Sequence, residues 1–258
     1  MLFKNLTLSV FVTVILIFVE AVRFATTKYV YKIDASLPFF LPVPIGFGTF
    51  GSVNKILSPL MDRKALYQIT YAGSFAGLAI GLILLFGGFD KSEIILANAS
   101  MTDGYKVNLG SSLLLSLAAK SFFGVEIGSG HMLSVNALTF AGWMVVLITS
   151  VSLMPLGELA GGRIARAIFS RIPALIINRV LWFTVLALGI LHWSGWLVFA
   201  FLVFIVSYGH RTKVFNQISP VSSWQKALGI FMLLFALFVL IPLPHSFYRI
   251  LGMHCPYL

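Results

Sequence analysis

The sequence is 258 residues long, 59% hydrophobic and only 10% charged. So little charge, together with several long apolar runs, excludes an ordinary soluble domain and predicts a helical protein that crosses the membrane several times. A formal net charge of +10 would indicate nucleic-acid binding in a soluble protein. In a membrane protein the same basic residues fix the topology and meet anionic lipid headgroups, so we expect a lipid bilayer as partner and no nucleic acid.

The apolar runs predict an all-α polytopic protein with about six transmembrane helices in a single membrane domain, residues 1–258. The predicted helices cover approximately residues 6–24, 68–86, 133–154, 174–191, 197–208 and 227–241, of which the last three form the C-terminal part, 174–241. Small residues in the second helix, among them Gly77 and Gly81, allow another helix to approach closely. Residues 88–130 form the longest stretch that is not expected to span, and their apolar middle is expected to be interfacial or re-entrant.

Residues 37–53 interrupt the helical pattern. Proline and glycine recur there among aromatic residues, at a density that breaks helices. The pattern predicts a small β-hairpin or sheet segment, and at membrane depth its backbone must be shielded or paired by protein.

The stretch 152–161, at the end of the third predicted helix, carries the most informative motif. It resembles the second signature of the site-2 protease family of intramembrane zinc metalloproteases, Asn-x-x-Pro-x-x-x-Leu-Asp-Gly, in which the Asp is a zinc ligand. The positions of Asn, Pro, Leu, Asp and Gly are taken here by Ser152, Pro155, Leu159, Ala160 and Gly161. The resemblance therefore implies this family's fold, in which residues 133–170 form the third helix and a degenerate signature with the acidic ligand replaced by alanine.

The end of the first predicted helix resembles the family's other signature, His-Glu-x-x-His, in a degenerate form. Glu20 aligns with the Glu, while Val19 and Arg23 replace the two His. A valine cannot ligate a metal, and a guanidinium stays protonated and repels a dication. We therefore expect no metal and no other cofactor, and we interpret four positions as vestiges of a catalytic site: Val19, Glu20, Arg23 and Ala160.

Charged residues near these positions predict a polar cavity formed by Glu20, Arg23, Glu158 and Arg163. A buried arginine needs a partner, so we expect Glu20 or Glu158 to pair with Arg23 and to tie the first helix to the signature helix. The alternative for Glu158 is a replacement metal ligand, but pairing with Arg163 is the simpler interpretation. The five histidines show no ligand spacing among themselves.

Residues 37–53 resemble the sheet segment that family members place over the active site. The resemblance implies that a polypeptide is bound there as an added strand, a mode that uses backbone hydrogen bonds and no zinc. The expected partner-binding residues are Phe39, Phe40, Phe47, Phe50 and Val53.

The function predicted from these residues is that of a catalytically inactive site-2 protease-like membrane protein, a pseudoprotease and not an enzyme. It would bind or scaffold a membrane partner, or act as a subunit of a membrane assembly. One alternative is an active intramembrane metalloprotease with an unconventional metal site. Another is a small-solute transporter, although the sequence lacks inverted repeats and paired broken helices. No spacing typical of a P-loop or of a dinucleotide-binding fingerprint occurs.

Overall fold

The computed structural model describes most of the chain. The described residues are 2–37, 39–42, 49–54, 56–96, 105–107, 112–123, 131–169, 171–191, 195–208, 212–216 and 218–241. Their helices are α1 Leu2–Ala25, α2 Arg63–Gly87, α3 Leu113–Phe123, α4 Ala137–Ser152, α5 Ala160–Ile168, α6 Arg171–Leu191, α7 Gly195–Tyr208 and α8 Ser223–Leu240. Their strands are β1 Phe39–Pro42, β2 Thr49–Val53, β3 Leu60–Asp62, β4 Glu93–Leu96, β5 Tyr105–Val107, β6 His131–Val135 and β7 Val214–Asn216.

The predicted fold class, a polytopic helical membrane protein with small β elements, is confirmed. Within the described residues, four helical segments are long and apolar enough to cross a bilayer. They are Leu8–Val30, Arg63–Lys91, Ile172–Leu191 and Ser223–Leu240. Helices α3, α4 and α7 are apolar but shorter, so the count of six membrane spans stays a prediction.

The predicted start of the third helix is wrong. Residues 133–135, assigned to the third helix, belong to β6, which pairs antiparallel with both β4 and β5. Strand pairing there buries Leu133 and Val135, and the helix begins only at Ala137. The helix that carries the signature motif begins at Ala160, after a turn in which Gly157 has a left-handed backbone conformation with φ of 51°.

The β elements are small. Strands β1 and β2 pair antiparallel, with Phe39 opposite Val53, which matches the hairpin predicted for residues 37–53. Strands β3 and β7 form a parallel pair, and β4, β6 and β5 form an antiparallel sheet in that order. The predicted partner-binding residue Phe47 lies outside the described residues.

The chain divides into two compact units, and the boundaries fall inside helices. One unit comprises residues 1–13, 78–150 and 235–258, and the other comprises 14–77 and 151–234. The second unit contains all the vestigial and cavity residues predicted from the sequence: Val19, Glu20, Arg23, Glu158, Ala160 and Arg163.

In the first unit, α2 and α4 cross at two glycines. A Cβ at Gly142 would lie 2.3 Å from the backbone nitrogen of Leu85 and 2.7 Å from the carbonyl oxygen of Gly81. A Cβ at Gly81 would lie 2.7 Å from a methyl group of Val146. The small residues of the second helix therefore serve the close helix approach that the sequence predicted.

This crossing generates a prediction. Gly142→Ala should destabilise the protein strongly, because the added methyl group meets backbone atoms that move only if the helices separate. Gly87→Ala is the matched control, since nothing lies within 4 Å of a Cβ at Gly87. Thermal melts in detergent should show a clearly lower midpoint for Gly142→Ala and little change for Gly87→Ala; equal midpoints would contradict the close crossing.

Candidate charged site

The end of α1 carries a buried ion pair. Glu20 and Arg23 are one turn apart, with 2% and 5% of their surface exposed, and Arg23 Nη1 donates to Glu20 Oε1 at 2.7 Å. Val19, on the preceding position, is buried as well. The guanidinium lies over α2, where a Cβ at Gly73 would be 2.9 Å from both Cβ and Nε of Arg23. The observed position of the Arg23 side chain therefore requires a glycine at residue 73 of α2.

Arg23 pairs with Glu20, as expected, but this pair does not connect the two helices that it was expected to connect. Both members of the pair belong to α1, so the pair itself does not tie α1 to the signature helix as the sequence suggested. The side chains of Asn54 and Arg63 reach α5 from other elements of the second unit: Asn54, directly after β2, pairs with Arg163, and Arg63 of α2 donates from Nε to the Ala167 carbonyl oxygen at 2.9 Å.

The signature motif folds into a tight turn that leads into α5. A Cβ at Gly161 would lie 1.8 Å from the carbonyl oxygen of Leu153, and a Cβ at Gly162 would lie 2.4 Å from that of Gly157. The amide of Gly157 donates to Asn178 Oδ1 of α6 at 2.8 Å. These close approaches leave no space for a side chain at Gly161 or Gly162, and this explains the glycines of the motif.

Glu158, on this turn, is the centre of a second buried cluster. Its carboxylate pairs with Arg166 at 2.7 Å and with Arg163 at 3.3 Å, and it accepts a hydrogen bond from the Thr212 hydroxyl at 2.9 Å. Burial alone would raise the pKa of Glu158, but the charges of Arg166 and Arg163 outweigh it and hold this pKa below its usual value. Glu158 therefore stays ionised at neutral pH.

Arg163 connects this cluster to the β1–β2 pair. Its Nη1 donates to Asn54 Oδ1 at 2.8 Å, and its Nη2 donates to the Asn54 carbonyl oxygen at 2.5 Å. Burial lowers the pKa of Arg163, Glu158 opposes that effect, and the nearby charge of Arg23 lowers the pKa further. The structure thus brings the two ion pairs together, and we call Glu20, Arg23, Asn54, Glu158 and Arg163 the charged core.

Sequence reasoning missed Asn54, Arg166 and Thr212. No spacing rule connects residues more than a hundred positions apart, as Asn54 and Arg163 are, so Asn54 could not be predicted from the sequence. Arg166 lies on the same helix face as Arg163 at i+3, which was a detectable signal.

For the other residues predicted from the sequence, the structure gives at most the strand to which each belongs. Phe39 and Phe40 belong to β1, and Phe50 and Val53 belong to β2. His131 begins β6 in the first unit. His192, His210, His245, His254 and Cys255 lie outside the described residues.

The chain is similar to plant proteins named as chloroplastic zinc metalloproteases. It is 28% identical over 219 residues, 82% of the chain, to "Probable zinc metalloprotease EGY1, chloroplastic" of Oryza sativa subsp. japonica, of which 36% is covered. It is 29% identical over 228 residues, 83% of the chain, to "Probable zinc metalloprotease EGY2, chloroplastic" of Oryza sativa subsp. indica, of which 38% is covered. Against "Probable zinc metallopeptidase EGY3, chloroplastic" of Arabidopsis thaliana the identity is 28% over 245 residues, 86% of the chain and 40% of the relative.

The other two comparisons found nothing: no family model matches the chain, and no solved structure matches it. The chain spans about two fifths or less of the length of the curated relatives described above.

The fold and these relatives define an integral, multi-pass membrane protein with metalloprotease homologues. Within that class the chain resembles the site-2 protease family through its motifs at residues 19–23 and 152–161, and relatives 28–29% identical to it over about four fifths of the chain are named as zinc metalloproteases.

The prediction that the chain is not an enzyme is wrong. Several curated relatives that match more than four fifths of the chain are named as probable zinc metalloproteases, which points to an enzyme. The prediction relied on three replaced residues alone, and similarity over most of the chain outweighs it.

The residues of the charged core do not fit a zinc ion. Arg23 and Arg163 are buried cations, and Glu20 Oε1 and both oxygens of Glu158 already face guanidinium groups. Val19 and Ala160 offer no donor atoms. A dication would meet fixed positive charge here and few ligand atoms. We therefore derive no step through zinc at this place.

A double-mutant cycle tests the buried pair of α1. Arg23→Ala and Glu20→Ala should each lower the free energy of unfolding by about 3–5 kcal/mol, because each leaves an uncompensated buried charge. The double variant should recover part of the loss, and melts in detergent measure all four proteins. If both single variants melt like the parent, the pair is solvated and the prediction is wrong.

A second prediction concerns the three replaced positions. The triple variant Val19→His, Arg23→His, Ala160→Asp should hold about one more zinc ion per chain than the parent, since it creates two imidazoles and a carboxylate. Elemental analysis of the purified proteins measures this, with the Val19→His, Arg23→His double variant as control. Equal zinc content in parent and triple variant would contradict the alignment of these positions with the family's ligands.

Proposed function

We propose that the chain binds a segment of a membrane protein, in extended form, along the β1–β2 pair beside the charged core. The observation that carries the proposal is the contact between Asn54 and Arg163, which joins the end of β2 to that core. A two-stranded sheet has outer edges whose backbone groups accept an added strand, so the pair is suited to this mode of binding.

Buried polar atoms support the same proposal. Glu20 Oε2, Arg23 Nε, Asn54 Nδ2 and Ser74 Oγ have no hydrogen-bond partner among the described residues. Buried donors and acceptors of this kind are costly unless they are paired. These atoms are covered in the structure, so the amide groups of a bound polypeptide would pair with them only after the elements over them move apart.

Photo-crosslinking tests the proposal. The probe is a labelled single-span peptide whose apolar stretch contains a glycine–proline interruption, with an uninterrupted leucine–alanine helix as the control peptide. With benzoylphenylalanine in place of Phe50 on β2, we expect crosslinking to the interrupted peptide. The same group in place of Phe215 on β7, which is exposed, is the matched control and should give little product. Equal yields at both positions, or none at Phe50, would contradict the proposal.

The relatives' names favour a second candidate, an active intramembrane metalloprotease with an unconventional metal site. It predicts cleavage of the interrupted peptide, loss of cleavage on chelation, and a stoichiometric metal that Glu20→Gln or Glu158→Gln removes. Mass spectrometry of the peptide and elemental analysis of the protein measure these results. Binding without cleavage and without metal would contradict this candidate and leave the binding proposal standing.

A further inference from the structure

Arg179, a cation of the second unit that is not part of the charged core, lies on the exposed side of α6. The candidate membrane span Ile172–Leu191 has twenty residues, and Arg179 is the eighth. At a rise of about 1.5 Å per residue, Arg179 lies about 4 Å from the middle of the span and about 11 Å from its nearer end. It is therefore close to the bilayer centre and far from the ends where long basic side chains reach the headgroups.

The Arg179 side chain is exposed, and within the described part of the chain it makes no ion pair or side-chain hydrogen bond. The residues around it are apolar and exposed, at the three- and four-residue spacing of one helix face. This face, which we call the α6 face, comprises Ile172, Ile176, Val180, Phe183 and Ile190 besides Arg179. Of the four candidate spans, α6 has the smallest buried share.

Lipid alone does not suit this face, because hydrocarbon cannot solvate a guanidinium. A second copy of the chain does not supply the missing charge either. The described candidate spans contain two carboxylates, Glu20 and Asp90. Glu20 is buried and paired with Arg23, and Asp90 is the last residue but one of its span.

We propose that the α6 face binds a transmembrane helix of another protein that carries a carboxylate near the middle of its span. The carboxylate pairs with Arg179, and the apolar residues on either side along α6 pack against the partner helix. Arginine suits this role because its guanidinium forms bidentate bonds with a carboxylate. This interaction surface is independent of the charged core and of the function proposed above.

Energy transfer in lipid nanodiscs tests this inference. The single cysteine, Cys255, carries the acceptor dye, and the probe is a donor-labelled leucine–alanine transmembrane peptide with one central Glu. The parent should bind this peptide about tenfold more tightly than the same peptide with central Gln, which is the scale of polar contacts between membrane helices. A peptide with Glu near its end should bind like the Gln peptide.

Variants identify the residue responsible. Arg179→Gln should abolish the preference for the Glu peptide, and Arg179→Lys should keep much of it. Lys226→Gln, which removes an exposed cation near the start of α8, is the matched control and should keep the preference unchanged. Melts confirm that each variant is folded, as expected for exposed positions. Equal binding of Glu and Gln peptides by the parent, or an unchanged preference in Arg179→Gln, would overturn the inference and show that Arg179 faces lipid.

Discussion

Buried guanidinium groups impose the strongest constraint on the second unit. A permanently charged side chain is costly in an apolar interior unless a carboxylate and hydrogen-bond acceptors surround it. Arg23 obtains its carboxylate from its own helix, and Arg163 obtains one from the turn before α5 and two oxygens from Asn54. Each arginine thereby fixes the position of another element. Arg23 packs against Gly73 of α2, and Arg163 binds Asn54 at the end of β2.

The turn before α5 shows how a motif can persist for structural reasons. Gly157, Gly161 and Gly162 leave no room for a side chain, because backbone or hydroxyl atoms lie where a Cβ would be. The turn presents Glu158 to two arginines and lets its amide meet the Ser207 hydroxyl. Packing around this turn therefore accounts for the glycines of the motif without any catalytic role for them.

Similarity to named relatives bears on whether the protein is an enzyme, whereas the chemistry of the charged core bears on what that core can bind. Similarity over four fifths of the chain connects it to proteins named as metalloproteases, and that overrules an inference of inactivity from three positions. The charged core, in contrast, contains buried guanidinium groups whose carboxylates are already paired, so it does not suit a dication. The binding proposal rests on the contact between Asn54 and Arg163 and does not depend on a metal.

The sequence by itself determined the membrane class, the resemblance to intramembrane metalloproteases and the approximate positions of the helices, because long apolar runs and glycine-proline motifs are local signals. It also identified Glu20, Arg23, Glu158 and Arg163, since buried charges are rare and conspicuous in apolar surroundings. Only the tertiary structure decided which carboxylate pairs with which arginine, and that Asn54 completes the cluster from a distant segment. It likewise decided that residues 133–135 form a strand, because their partners in β4 and β5 are far away in sequence. Such pairings depend on which segments meet in space, and no local pattern records that.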